Sequence, residues 1–357
     1  MNDNELLDLY SDYLISAFGQ TTATGLATLL DGQISHDRVQ RFLAGTKRTS
    51  SDLWQMVKPH VRAIQQDDGV LILDDSIAEK PYTDENDIVC WHYDHTKGRS
   101  VKGINFLTAL YHAQAISLPV VITLIAKTEH YVDTKDGKAK RRSPTGKNEY
   151  FRAMVQQAVT NLISFRYVLN DVWFASAENM MFIKHTVHKE FVMPVKTNRK
   201  VALSANDKQH GRYVQVDTLV LESHTAQEIH LEGVDFPLLL IKQVFENEDG
   251  SCGVLYLVSS DTTLSYDDVT TIYRKRWNVE PYHKSLKQNA ALERSPTQTV
   301  TTQTNHFFGA VCGYIKLELL KQQTKLNHFA LRAKLYTRAV RVAFDALGEL
   351  QPARLAA

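Results

Sequence analysis

Tyr273, Arg276, Glu280 and Lys287 are spaced Y-x2-R-x3-E-x6-K within one short stretch. At about 100° per residue on an ideal helix, the four fall within roughly 60° of one another. A phenol, a guanidinium, a carboxylate and an ammonium would then share one face. Buried charges need partners, so a core-facing stripe would not select these types. The set suits a metal ion on the carboxylate and phosphate oxygens on the cations and hydroxyl. Pro281 removes a helical hydrogen bond, so the stretch is expected to kink or restart there.

Two further acids stand where buried strands are expected to end. Val70-Leu-Ile-Leu73 is a continuous apolar run of the kind buried on both faces, and it leads into Asp74-Asp75-Ser76. Burying an acid at the end of such a strand is costly without a partner, which points away from a purely structural role. Successive strand residues face opposite sides, so only one of Asp74 and Asp75 reaches a shared site if the strand continues through both. Arg166-Tyr-Val-Leu-Asn-Asp171-Val-Trp-Phe174 is a second β-rich run carrying an acid, with Asn170 as the neighbouring alternative. Asp171 follows Asp74 by 97 positions (171 − 74).

The Y-R-E-K spacing resembles the signature of bacterial insertion-sequence transposases, the insertion-sequence-four superfamily of the DDE class. The resemblance implies a catalytic and metal-binding triad of Asp74, Asp171 and Glu280, with the family's Asp-x-Thr/Ser pattern favouring Asp74 over Asp75. It implies Mg²⁺ or Mn²⁺ as cofactor, two ions in number, acting on phosphodiesters. It assigns Tyr273, Arg276 and Lys287, with Lys284 beside them, to phosphates of double-stranded DNA. The partners implied are the terminal inverted repeats, target DNA and a second copy of the chain in a synaptic complex. The place implied is the bacterial nucleoid. A regulatory or domesticated DNA-binding relative, and a ribonuclease-H-like nuclease, are the competing readings.

The fold class expected is α/β: a ribonuclease-H-like core with a β-rich insertion between the second Asp and the Glu, flanked by helical N- and C-terminal regions. Residues 1–66 lack strand-like alternation and read as a helical DNA-binding domain. Ser35 is a candidate N-cap and Gly45 a stop, so a helix-turn-helix presenting Arg38 and Arg41 and an ordinary helical hairpin both fit. The first part of the core spans 67–200, with a polar loop over Trp91–Gly103 and paired strands at Ile104–Tyr111 and Leu118–Ala126. Thr134–Lys147 holds six basic residues and one acid, and reads as a loop or phosphate-contacting arm with Lys140, Arg141 and Arg142. A helix is expected from Asn148 to about Ile163, and a strand at Glu190–Val195. Strand-like runs at Val214–Leu221, Ile229–Val234, Pro237–Phe245 and Gly253–Ser259, with a turn at Glu248–Ser251, make 201–262 the insertion. The second part of the core covers 263–320, and 321–357 is a basic helical tail facing DNA, a second subunit or solvent.

The chain has 357 residues, 43% of them hydrophobic, which supports a full core. Its 41 basic and 40 acidic residues give a net charge of +1, so any nucleic-acid surface rests on segregated charge. Three cysteines without a C-x2-C pair argue against a zinc site or a disulfide framework and fit a reducing cytoplasm. The longest apolar runs fall well below the ~20 residues of a membrane span, and the acidic start does not read as a secretory signal.

Overall fold

The computed structural model describes residues 1–95, 97–134, 137–222, 224–246 and 250–350. Lys135 and Asp136 of the basic stretch, Glu248 and Asp249 of the expected turn, and 351–357 of the tail lie outside the described residues. The chain divides into two compact units. One comprises Met1–Arg48, Tyr82–Asp84 and the chain from Tyr282 onward; the other holds Thr49–Pro81 and Glu85–Pro281.

The first unit is helical. It begins with α1 (Asp3–Ser16), α2 (Ala23–Leu29) and α3 (His36–Ala44). Asn2 and Glu5 form a capping box on α1, and the Ser35 hydroxyl accepts from the Arg38 amide at the start of α3. The turn between α2 and α3 places Asp31 and Gly32 at positive φ.

The second unit opens with α4 (Ser50–Ile64), so the helical region expected at 1–66 is shared between the units. Leu53, Trp54, Val57, Val61 and Ile64 form the buried stripe of α4, which packs on a sheet. That sheet is built from β1 (Val70–Glu79), β2 (Val89–Asp94), β3 (Arg99–Ala113) and β4 (Ile116–Leu124), then β7 (Tyr167–Asn170) and β8 (Glu190–Val195), and continues in later strands. Between β4 and β7 lie a separate hairpin, β5 (Glu129–Val132) with β6 (Ala139–Arg142), and α5 (Lys147–Thr160). A 3-10 turn (Val172–Phe174), α6 (Ala177–Met181) and a π-helical turn (Phe182–Val187) join β7 to β8.

β1 pairs antiparallel with β3 from Val70↔His112 to Glu79↔Gly103 and parallel with β7 from Val70↔Tyr167 to Leu73↔Asn170. β7 pairs parallel with β8, and the far edge of β3 carries β2 and β4. Antiparallel strands on one side of β1 and parallel strands on the other give the ribonuclease-H-like order. The β3–β4 connection is tighter than the sequence indicates, a two-residue turn at Gln114 and Ala115 with both φ positive.

The inserted strands extend this sheet. β9 (Lys200–Ala202), α7 (Ala205–Gln209), β10 (Val214–Gln215), β11 (Ala226–Leu231), β12 (Leu238–Glu246) and β13 (Cys252–Ser259) follow in the chain. β13 pairs with β8, and the order runs onward through β12, β11, β9 and β10. The inner ends of β12 and β13 are buried, as the Leu238–Ile241 and Leu257–Val258 runs require.

Four local expectations are corrected. β1 does not end at Asp74 but continues to Glu79, because β3 offers partners along its whole length. The stretch Trp91–Gly103 is mostly the β2–β3 hairpin. Within the basic stretch, Ala139–Arg142 forms β6, which pairs residue by residue with β5 just before the stretch. Val214–Leu221 yields only a two-residue strand before a 3-10 turn at Val216–Thr218.

α8 (Tyr266–Arg274) is capped by a Ser265–Asp268 box. The chain then tightens into a 3-10 turn (Lys275–Asn278) and restarts as α9 (Val279–Gln288). The break lies before Pro281, which sits in the first turn of α9, where its missing N–H is tolerated. An uninterrupted helix would need that N–H to bond the Trp277 carbonyl, so the irregularity falls at that carbonyl. α9 runs into the helical unit, which also holds α10 (Val300–Thr324), packed on α1 and α3, and α11 (His328–Leu350).

Gly103 closes the β1–β3 pairing, and a Cβ there would lie 2.3 Å from the Ala78 carbonyl oxygen. Gly103→Ala forces the end of β1 to shift and is expected to cost about 1–3 kcal/mol, comparable to core overpacking. Urea denaturation measures it; an unchanged midpoint contradicts the close approach.

Candidate active site

The site is assembled at the point where β1 and β7 stop pairing. Their last parallel partners are Leu73 and Asn170. Asp74, still on β1, and Asp171, the extended residue just after β7, come next, at the same offset of 97 that separates Val70 from Tyr167. Equivalent positions on adjacent parallel strands point to the same face, so the two carboxyls stand side by side. Asp75 faces the other way: its carboxylate accepts from the Asn105 amide and pairs with Lys147, each at 2.7 Å.

Both site acids bind their protons unusually tightly. Burial, with the charges of Asp171 and Asp75, pushes the Asp74 carboxyl up to about 8, against the opposing pull of Arg276. Burial also raises Asp171, opposed first by the Trp173 amide, which donates to its carboxylate at 3.0 Å.

Tyr273 and Arg276 reach this locus from the end of α8 and the tight turn after it. The Tyr273 hydroxyl donates to the Asn170 carbonyl at 3.4 Å, beside the last β1–β7 pair. Arg276 is 11% exposed, lies over the rings of Tyr273 and Trp277, and bonds Glu280 at 3.2 Å. Its Nε is buried without a partner among the described residues. Burial raises the Tyr273 phenol, so it remains a hydrogen-bond donor.

Asp74, Asp171, Tyr273, Arg276 and Glu280 therefore belong to one locus in the sheet unit. Lys284 and Lys287 lie in the helical unit, Lys284 over the Phe329 ring and Lys287 4.0 Å from Glu293. Arg38 and Arg41 lie on α3 of that unit, Arg38 bonding the Met1 carbonyl and Asp3, Arg41 the Asp37 carbonyl. Lys140, Arg141 and Arg142 lie on β6, where Lys140 pairs with Asp133 and Arg142 with Glu129. His92 is pushed down to about 4 by burial and nearby lysines, so it is neutral at pH 7.

Several candidate residues have no signal in the sequence. Asn105 and Lys147 hold Asp75 from positions 30 and 72 residues away. Trp173 is 55% exposed, its ring lies 4.8 Å from that of His95 at a tilt of 35°, and it lies under Lys196 at 5.1 Å. Its apolar neighbours in the sequence make it look like core, but the 3-10 turn after Asp171 rotates it outward.

The donor set fits a hard divalent cation in part. Two adjacent carboxyls with raised proton affinity present the repulsion that such an ion relieves. Among the described residues no group of three His, Cys, Asp or Glu is close enough together to hold a metal; Glu280 pairs with Arg276.

A ribonuclease-H-like sheet carrying two acids in register, with a third carboxylate on a following helix, defines a class of nucleic-acid-processing domain. Residues 3–216 match the family model described as DDE superfamily endonuclease, and residues 131–316 match the model described as Transposase DDE domain. The chain belongs to the DDE superfamily of transposases and endonucleases. No curated protein matches it. Among the described residues no helix is long and apolar enough to cross a membrane.

The raised acids carry a pH signature. Between the unfolded carboxyl pKa near ~4 and the folded value of about 8, the native state holds a proton that the unfolded chain has released. Stability from this group is complete below the lower value and is lost as pH rises through the upper. Without metal, Asp74→Asn is expected to exceed wild type in stability at pH 9 by a few kcal/mol, the gap closing toward pH 4. Urea denaturation in a chelator across that range tests this; a gap that widens on acidification reverses the assignment.

Proposed function

We propose that the protein is a DNA transposase that binds the terminal inverted repeats of its own insertion sequence and carries out cleavage and strand transfer for cut-and-paste transposition. The observation that carries this reading is that Asp74 and Asp171 directly follow the last β1–β7 pair, Leu73 and Asn170, with Glu280 tied to the locus through Arg276. Asp74, Asp171 and Glu280 would hold Mg²⁺ or Mn²⁺, two ions in number. When bound, the metal supplies Lewis-acid activation of a water nucleophile and stabilises charge on the leaving oxygen.

The chain's own groups orient the DNA. Tyr273 holds a phenolic proton at the edge of the acid pair, and Arg276 carries a guanidinium with an unused N–H there. Both can grip phosphate oxygens next to the scissile bond. Lys284 and Lys287 extend this series along α9, and Arg38, Arg41 and the basic β6 strand supply further phosphate contacts. In-line attack by water frees a 3′-hydroxyl, which then attacks target DNA. Two ends cut in concert imply a dimer on DNA, and work on DNA fits a nucleoid location.

The match of residues 3–216 to an endonuclease family favours one second reading, hydrolysis without joining. Cleavage and strand transfer on DNA carrying the repeats that flank its own gene separates the two, because a nuclease cuts and never joins. Glu280→Gln is expected to retain repeat binding and to lose cleavage by about 10³-fold or more, with Asp74→Ala and Asp171→Ala equally inactive. Asp75→Ala retains activity if its carboxylate serves only Asn105 and Lys147. Cleavage retained in Glu280→Gln removes Glu280 from the site.

A further inference from the structure

The end of α1 is held by two arginines from distant parts of the chain. α1 carries no basic residue in its own last turn, and Ala17 is its C-cap. Arg294 donates to the Ala17 and Phe18 carbonyls at 3.5 and 3.2 Å. Arg332, on α11, donates to the Ala17 carbonyl and, at 2.7 Å, to that of Asn289, directly after α9. All of these groups belong to the helical unit.

The two cations outweigh what they cap. A helix C-terminus carries about half a negative elementary charge, so two helix ends offset roughly one of the two guanidinium charges. Among the described residues neither arginine forms an ion pair with a carboxylate, and Glu293, next to Arg294 in sequence, lies 4.0 Å from Lys287 instead. Both arginines are half-buried. Burial, with the charge of Arg294 beside it, pushes Arg332 down to about 10. The Arg294 bonds run through Nη1 alone. The Nε–Nη2 edge, which can grip two oxygens of one anion, has no partner among the described residues.

Aromatic rings flank the pair. The Arg332 guanidinium lies 5.1 Å from the Phe18 ring centroid, and the Tyr336 ring meets Phe18 edge-on with centroids 5.0 Å apart. Phe18 is 42% and Tyr336 52% exposed. Cations beside exposed rings suit a nucleic-acid strand, the cations taking phosphate and the rings the adjoining nucleotide. A phosphodiester carries a single negative charge, which closes the balance left by two arginines on two helix ends. A free phosphate, with roughly two, reverses it.

We propose that Arg294 and Arg332 bind a phosphodiester of a nucleic-acid strand, with Phe18 and Tyr336 against the adjoining nucleotide. The site rests on the reading of the chain as a DNA-processing protein, and it lies apart from the acid locus and from the basic residues assigned above.

Fluorescence anisotropy of a labelled single-stranded oligonucleotide lacking the terminal repeats, with the full chain in a chelator and across a range of salt, tests it. Metal, cleavage and repeat recognition do not enter this measurement, so its failure is distinct from a failure to transpose. Arg294→Gln is expected to reduce the slope of log affinity against log salt by about 0.7, the loss of one phosphate contact on a single strand. Arg294→Lys keeps the charge and the wild-type slope, which excludes unfolding as the cause of the loss. Phe18→Ala weakens binding by about tenfold with the slope unchanged. A wild type that does not bind the strand, a wild-type slope in Arg294→Gln, or a lysine variant that loses as much as the glutamine variant overturns the proposal. Inorganic phosphate at constant ionic strength that displaces the strand from wild type but not from Arg294→Gln overturns it in favour of a free-phosphate site.

Discussion

Two carboxyls that repel each other are fixed side by side by backbone pairing, and the rest of the sheet unit serves to keep them there. The parallel ladder between β1 and β7 ends at Leu73 and Asn170, and Asp74 and Asp171 follow directly on it. Val70–Leu73 and Tyr167–Asn170 are buried on both faces. Burial there anchors the strands and also removes the solvent that would screen the acids. Asp75, one position on, is turned by the pleat to the opposite face, where Asn105 and Lys147 bond it. Neighbouring acids thus acquire opposite electrostatic roles from a single backbone alternation.

The remedy for the repulsion comes from a different part of the chain. Arg276 is delivered by the 3-10 turn between α8 and α9, and its charge lowers the proton affinity of both Asp74 and Asp171. A continuous helix would carry the Trp277 carbonyl into a bond that Pro281 cannot supply. The tightened turn resolves that conflict while leaving Tyr273 and Arg276 on the acid side. Tyr273 then ties the helix end to the sheet through the Asn170 carbonyl, next to the residue whose charge Arg276 faces.

Legibility in the sequence follows the range of the interactions. The apolar runs of β1, β7 and β8, the cap at Ser35 and the Y-R-E spacing are local patterns that point to the elements and to the DDE superfamily. The 97-residue offset was visible too, but its meaning as a strand register required the sheet. Strand ends are not legible where a long partner decides them: β1 runs on to Glu79 because β3 accompanies it, a fact held in residues 99–113 rather than in β1. The partners of Asp75 and the outward turn of Trp173 are tertiary outcomes with no local signal.

Arg276 links the resting chemistry of the site to the proposed reaction. One guanidinium meets Glu280, faces two half-buried acids, and still carries a buried Nε without a partner among the described residues. A buried donor left unsatisfied costs about 1–3 kcal/mol. A phosphate oxygen would supply that partner, and drawing the guanidinium toward DNA would strip the acids of their nearest positive charge. On the proposed reading, DNA would then raise the demand of Asp74, Asp171 and Glu280 for a divalent ion at the moment a scissile phosphate is present. The arrangement that makes the free site electrostatically uncomfortable is the one that would couple metal to substrate.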